Sequence, residues 1–350
     1  MSYQRIIFLA TRGSALALAQ ANLVLAQCCA AFPKFRFELR IIKTTGDKLQ
    51  TASLAQEGKS LPKGLFTKEL EIALLEHQAD LAVHSLKDLP TELPAGLKLG
   101  AVGERADVRD VLIYRDANYL RIAGRISERA DVSTPSPGRG FKTHLAIKDL
   151  PAGAVVATSS TRRKAQLLAH NPNLNIIEIR GNVVTRMQKL AQSAELDGTV
   201  LALAGLTRLQ VTINSQGRLE GEGVPAGLLA TILEPEVMLP CVGQGALGIE
   251  IRENDERLAA ICQRLNHHNS HQSVLAERAF LAAMGGGCQS PVAAYAEVTD
   301  NRIRMRALSF ANGPARRAEG IRDIKEAEKL GRQLAAELEP GVSPARAHVP

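Results

Sequence analysis

The chain has no tryptophan, and aromatic residues fill only 3% of its 350 positions. That scarcity argues against a nucleic-acid reader built on stacking platforms, so no nucleic-acid partner is expected, although a net charge of +7 and a pI near 9.3 make the chain basic. Long apolar runs are also missing. No window reaches the roughly 18 to 20 apolar residues of a membrane-spanning helix. Arg12 and Gln20 interrupt the apolar start MSYQRIIFLATRGSALALAQ, and no small-residue cleavage site follows it. The expectation is a soluble, cytoplasmic protein with no membrane partner. Five cysteines, Cys28, Cys29, Cys241, Cys262 and Cys288, form no C-x-x-C pair. They suit neither a disulfide framework nor a structural zinc site, and they point to a reducing compartment. All but Cys288 lie in apolar or helical surroundings and read as small core residues. A GxxxxGK(S/T) phosphate loop is absent, which disfavours a nucleoside triphosphate.

What is present is a 45% apolar chain long enough for two or three domains. Ile6 to Thr11 reads as a buried strand and Ser14 to Cys29 as a helix. Phe35, Phe37, Leu39 and Ile41 alternate with charged residues as in a half-exposed strand, Phe66 to His77 is helical, and Ala79 to Val83 is a short strand ending in HSLKDLP. From Ala154 the grammar of strand, small-residue turn and helix recurs in VVATSS–RRKAQLLAH, NIIEIRGN–VVTRMQKLAQ and TVLALAG–LTRLQ. Such alternation implies α/β sheets with ligands at the carboxyl ends of the strands, in two lobes facing across a cleft. Arg115 to Lys148 contains STPSPGRG and reads as a flexible insertion. Beyond Arg252 a third region follows, with Arg302 to Ser309 as a strand and Ile324 to Leu338 as an amphipathic helix.

The arginines fall at strand-to-helix corners: Arg12, Arg162, Arg163, Arg180, Arg186 and Arg208. Cations in a first helical turn oppose the macrodipole, so Arg162, Arg163 and Lys164 do not help their own helix, and a compensating anion is expected there. Each arginine alone reads equally well as a salt bridge; six together read as a polyanion-binding cleft. In HSLKDLP, continued extended backbone would put His84, Leu86 and Asp88 on one side, aiming Asp88 into the cleft, where an ionised carboxylate suits stabilising a cation. A turn-capping Asp before Pro is the plainer reading. Lys87 fits an anion contact, and no device for lowering its pKa is visible in the sequence to support a Schiff base. His267, His268 and His271 read as loop or capping residues, and no metal is expected. Three glycines before Cys288 let a bulky group approach a presented thiol, or they simply end a helix.

In order along nearly the whole chain, TRGSALALAQ, TTGDK, KGLFTKELE, HSLKDLPT, ERADVRDVL, ATSSTRRKAQL, RGNVVTR, AGLTRL, VGQGALGIE, LNHH, AERAF and GGGCQSPV resemble the porphobilinogen deaminases, or hydroxymethylbilane synthases. The resemblance implies an α/β fold of three domains: two like the lobes of type II periplasmic binding proteins and a small third α/β domain with an antiparallel sheet. The expected division is 1–104 with about 230–250, about 109–228 with the insertion near 116–147, and about 254–350. It further implies a transferase of tetrapyrrole synthesis that adds four porphobilinogens, with loss of ammonia, to a dipyrromethane cofactor held covalently on Cys288, and then releases hydroxymethylbilane with water. Asp88 matches the catalytic carboxylate, hydrogen-bonding pyrrole N–H groups and stabilising an azafulvenium cation. Arg12, Ser14, Lys87, Ser160, Arg162, Arg163, Arg180, Arg186 and Arg208 match residues that hold the acetate and propionate groups, and Asp47 with Lys48 to Lys63 matches a lid. The chain departs from the family in the long link between Leu112 and Leu150. A monomer is expected. The competing class is a non-catalytic, two-lobed anion-binding protein, which leaves Cys288 unexplained.

Overall fold

The structure is a computed structural model that describes residues 6–46, 66–122, 139–287 and 290–339. Its first sheet runs, in spatial order, Phe37–Ile42, Ile7–Arg12, Leu81–Ser85, Leu247–Arg252 and Leu97–Val102. The first three strands are parallel, and Leu247–Arg252 runs against both of its neighbours. Ile7, Leu9 and Leu81 are buried, as a central strand with apolar side chains on both faces requires. Ile41 is 56% exposed because its strand lies at the sheet edge. The Ala15–Ala31 helix is capped by Ser14, whose Oγ accepts from Ala17 N at 3.3 Å, and buries Ala21, Val24 and Cys28 on the sheet.

The second sheet runs Leu228–Leu233, Asp110–Arg115, Gly198–Ala202, Val155–Ala157 and Asn175–Ile177. The last three strands are parallel, and the strand arriving from the first lobe, Asp110–Arg115, is antiparallel. The chain therefore passes between the sheets twice, through 103–109 and 234–246, and these two links frame the cleft. The third sheet is an antiparallel meander of Val292–Thr299, Arg302–Ser309 and Arg316–Asp323, covered by the helices His268–Ala283 and Ala327–Glu337. The α/β class and the antiparallel third sheet agree with the sequence reading.

Several boundaries fall elsewhere than expected. Leu228–Leu233 hydrogen-bonds along Asp110–Arg115, so residues 230–233 lie in the second sheet. The Glu256–Leu265 helix buries Leu258, Ile261 and Cys262 in the first core, so it packs with the first sheet and not with the third. Within the insertion near 116–147, Ala117 N donates to Phe141 O, so residues 116–122 and 139–147 pack together in the second lobe. Arg139 holds Asp197 through two bonds of 2.7 Å, Phe141 meets Tyr114 edge-on, and Ile147 and Leu150 are buried. Its Pro/Gly/Ser segment diverted the sequence reading from the apolar residues that follow; residues 123–138 lie outside the described residues. Two cysteines were also misplaced: Cys29 is exposed, and Cys241 is half-buried beside the cleft.

The helices over the third sheet meet at Gly331, where an added Cβ would come 2.1 Å from Ala276 O and 2.8 Å from Phe280 N. Backbone leaves no room to relax, so Gly331→Ala is expected to destabilise the protein by about 1–3 kcal/mol, read as a lowered urea midpoint.

Candidate active site

The strand carrying HSLKDLP stops at Ser85, and Leu86–Asp88 forms a single 3-10 turn. The expected extended continuation is therefore wrong; Pro90 lies two residues on, and the turn rather than strand alternation sets the direction of Asp88, which is exposed. The turn is fixed from three sides. Gly243, at φ +70°, packs so closely that a Cβ would sit 3.2 Å from Lys87 N. Arg278, on the helix that leads to the glycine run, donates to Leu89 O at 3.1 Å, Pro90 O at 2.6 Å and Thr91 O at 3.1 Å. Gln20 donates to Ser85 Oγ at 2.7 Å.

A pocket beside the turn is lined by Lys87, Ser160, Arg162, Cys241, Arg278, Gly287 and Ser290, among others. Gly287 and Ser290 flank the glutamine and the cysteine of GGGCQS; Cys288 itself lies outside the described residues, as do Asp47 and the Lys48 to Lys63 stretch. Ser290 Oγ accepts from Gly287 N at 3.1 Å. A Cβ on Gly287 would meet nothing within 4 Å, so open space adjoins the loop. These residues suit an anionic organic group: cationic side chains line the pocket and the glycine run leaves room for its approach.

The remaining site residues divide by environment. Ser160 caps the Thr161–His170 helix, whose first turn holds Arg162 and Arg163, both buried. Each is engaged within the protein: Arg162 Nη2 lies 2.8 Å from Asp110 Oδ2 and Arg163 Nη2 lies 2.7 Å from Asp110 Oδ1. The anion expected opposite these cations is thus, in the first place, the chain's own carboxylate. Those two arginines hold Asp110 well below the usual carboxylate range despite its burial. Burial and then Arg163 hold the Lys87 ammonium below the usual lysine range, against Asp88, Cys241 and Asp110. The sequence displayed no such device because both causes are tertiary. Burial and then Arg163 bring Arg186 down to about 10, while Asp88 opposes the shift. Asp88 on the first lobe therefore feels Arg186 on the second across the cleft. Burial alone brings Arg208 to about 10, and its Nη2 donates to Gly245 O at 2.6 Å.

Arg208 ends the Leu203–Arg208 helix and does not open one, so it is misplaced among the strand-to-helix corners, and there it favours the macrodipole. Arg12, the last residue of the first strand, lies over the Phe66 ring at 4.2 Å, and Arg180 is exposed, 3.7 Å from Glu178. The histidine cluster caps a helix: Ser270 N donates to His267 Nδ1 at 3.3 Å. Among the described residues no group of three His, Cys, Asp or Glu is placed to hold a metal. Sequence reasoning missed Asp110, Gln244, Glu277 and Arg278. Their segments, ERADVRDVL, VGQGALGIE and AERAF, were visible as motifs, but no local pattern shows which buried partner a charged residue will find.

Two α/β lobes with a basic cleft are joined to a third domain whose Gly287 and Ser290 line the pocket beside the Asp88 turn, the arrangement of a multidomain enzyme that takes an anionic organic ligand. Residues 7–260 match the sequence profile "Porphobilinogen deaminase, dipyromethane cofactor binding domain", and residues 271–340 match "Porphobilinogen deaminase, C-terminal domain". Proteins named porphobilinogen deaminase from Thermus thermophilus and Syntrophomonas wolfei are 42% and 38% identical, over 95% of this chain and 95% of each relative. One from Bacillus pumilus is 40% identical over 85% of this chain and 81% of its own. Among solved structures, the BenM effector-binding domain with benzoate aligns over 81% of this chain and 95% of that one, at 15% identity and a TM-score of 0.37. The chain belongs to the porphobilinogen deaminase family. It is a transferase with a dipyrromethane cofactor-binding domain.

Beneath the Asp88 turn, His84 Nε2 and Glu250 Oε2 form a buried pair at 2.9 Å, and Glu71 stands close by. Burial, reinforced by Glu250, raises the Glu71 carboxyl above the usual range. An acid with a raised folded pKa loses stability as pH climbs from its unfolded value, near 4.3, through its folded value. Glu71→Gln removes that loss, so the variant is expected to gain on the wild type from pH 4 to pH 8 in urea melts; a constant difference would contradict the assignment.

Proposed function

We propose that the protein is a hydroxymethylbilane synthase: it condenses four porphobilinogens head to tail with loss of ammonia and releases the linear tetrapyrrole with water. The observation that carries this reading is the pocket shared by Gly287 and Ser290, which flank the Cys288 segment, and by Lys87, Ser160 and Arg162, with Asp88 next to Lys87 in the adjoining turn. In this reading Cys288 holds the dipyrromethane as a thioether. When bound, that group supplies the free pyrrole α-carbon on which the chain begins.

The protein's own residues then take the following roles. Lys87, Arg186, Arg208 and Arg12, with the exposed Arg180, hold the acetate and propionate groups of porphobilinogen, each charge-assisted bond being worth roughly 1.5 to 3 kcal/mol. Ser14 and Ser160 cap helices at the cleft, and Arg162 and Arg163 keep its wall cationic. Asp88 accepts from the substrate's pyrrole N–H and stabilises the azafulvenium cation left as ammonia departs. A carboxylate next to Lys87 and near Arg186 is fitted to stabilise a developing cation. The setting we propose is a cytoplasmic monomer with no nucleic-acid partner. Among the described residues no helix is long and apolar enough to cross a membrane.

Intact-protein mass spectrometry tests the tether: wild type from porphobilinogen-making cells is expected to carry the mass of a dipyrromethane and Cys288→Ser to lack it. An unmodified wild type would refute the assignment. Asp88→Asn is expected to retain substrate binding and to lower kcat by about 100-fold or more. Ordinary turnover in that variant would remove Asp88 from the mechanism.

A further inference from the structure

Arg162 and Arg163 are both buried, yet neither reaches the cleft as a detached charge. Arg162 Nη1 donates to Leu239 O and Arg163 Nη1 to Val200 O, each at 2.8 Å, and the second amino group of each meets Asp110. Asp110 is fully buried at the start of the strand that enters the second lobe. Its Oδ1, which already accepts from Arg163, accepts a second hydrogen bond from Gln244 Nε2 at 3.0 Å, and the same amide donates to Val108 O at 2.7 Å; Oδ2 meets Arg162 as an ion pair only. Gln244 sits between Gly243, which packs on the Asp88 turn, and Gly245, whose carbonyl accepts from Arg208. One carboxylate thus joins the basic wall of the second lobe to both links between the lobes. The Nε of each arginine is buried without a hydrogen-bond partner. These guanidiniums are held short of full satisfaction, and the carboxylate is their chief restraint.

We infer that Asp110 is a positioning residue, the resident counter-ion that fixes Arg162 and Arg163 in the cleft wall so that substrate carboxylates meet an ordered cationic surface. Two guanidiniums beside one carboxylate leave one positive charge in excess, and that excess is what the wall presents. Without Asp110 the two cations repel each other and Lys87, and they turn towards water, because a buried charge stripped of its partner is costly. The effect on turnover rests on the reaction proposed above; the effect on the arginines does not.

Two measurements on the full-length holoenzyme separate these parts. In phenylglyoxal labelling mapped by peptide mass spectrometry, Arg162 and Arg163 are expected to be protected in the wild type and labelled in Asp110→Asn. Arg252, buried in the first lobe, is the control and is expected to stay protected in both. In steady-state kinetics, Asp110→Asn is expected to raise KM for porphobilinogen by about tenfold with kcat changed less than about threefold. Unchanged labelling, or labelling of Arg252 to the same extent, overturns the positioning role, as does an unchanged KM. A wild type that does not consume porphobilinogen counts against the proposed reaction and leaves the labelling comparison to decide the positioning role. Should Asp110→Asn fail to fold, Asp110→Asn/Arg163→Met removes one charge of each sign and is compared with Arg163→Met. New labelling of Arg162 in the former supports the role, and its continued protection overturns it.

Discussion

Glu277 is the carboxylate on which the assembly of the three sheets depends. It is fully buried and accepts four bonds: from Arg105 Nη1 at 2.6 Å and Nη2 at 2.9 Å, from Gly243 N at 2.7 Å and from Ala296 N at 2.9 Å. Those donors come from the first link between the lobes, from the second link and from the third sheet. A buried carboxylate is tolerated only when its lone pairs are filled, and removing one partner of such a pair typically costs about 3–5 kcal/mol. The third domain is therefore tied to the place where the lobes join. Because Arg278 follows Glu277 on the same helix and clamps Leu89, Pro90 and Thr91, the same turn of helix that closes the electrostatic hub also sets the Asp88 loop against the pocket. Structure and chemistry meet in two consecutive residues.

The outline of this arrangement was legible in the sequence, and its joints were not. Apolar runs and alternation located the strand at the N-terminus, the helix after Ser14 and the Arg302–Ser309 strand, because those elements bury a face whose period is written locally. The extended backbone expected through Asp88 fails because a 3-10 turn before proline breaks the period of two. Asp110 escaped notice for a different reason. Its partners lie 53 residues away at Arg163 and 134 away at Gln244, so no window of sequence contains the group. The placement of arginines pointed to a basic wall, but the pattern could not distinguish an arginine neutralised inside the fold from one kept for a ligand.

That distinction organises the cleft. Arg162 and Arg163 are balanced in part by Asp110, whereas burial depresses Lys87, Arg186 and Arg208, the last two to about 10. A guanidinium at about 10 is still protonated roughly a thousandfold in excess at pH 7, so the cost of holding these charges out of water is carried by the folded protein. Cations already stripped of part of their hydration attract a carboxylate more strongly than exposed ones, because less water must be displaced and the local dielectric is lower. Arg180, 52% exposed by side chain, lacks that advantage and suits first contact better than tight holding. A growing chain of acetate- and propionate-bearing pyrroles must be gripped and moved in turn. In the reading proposed above, exposed Arg180 and desolvated Lys87, Arg186 and Arg208 divide that work, and Asp88, the carboxylate that opposes the shifts of Lys87 and Arg186, is the counter-ion of the developing positive charge.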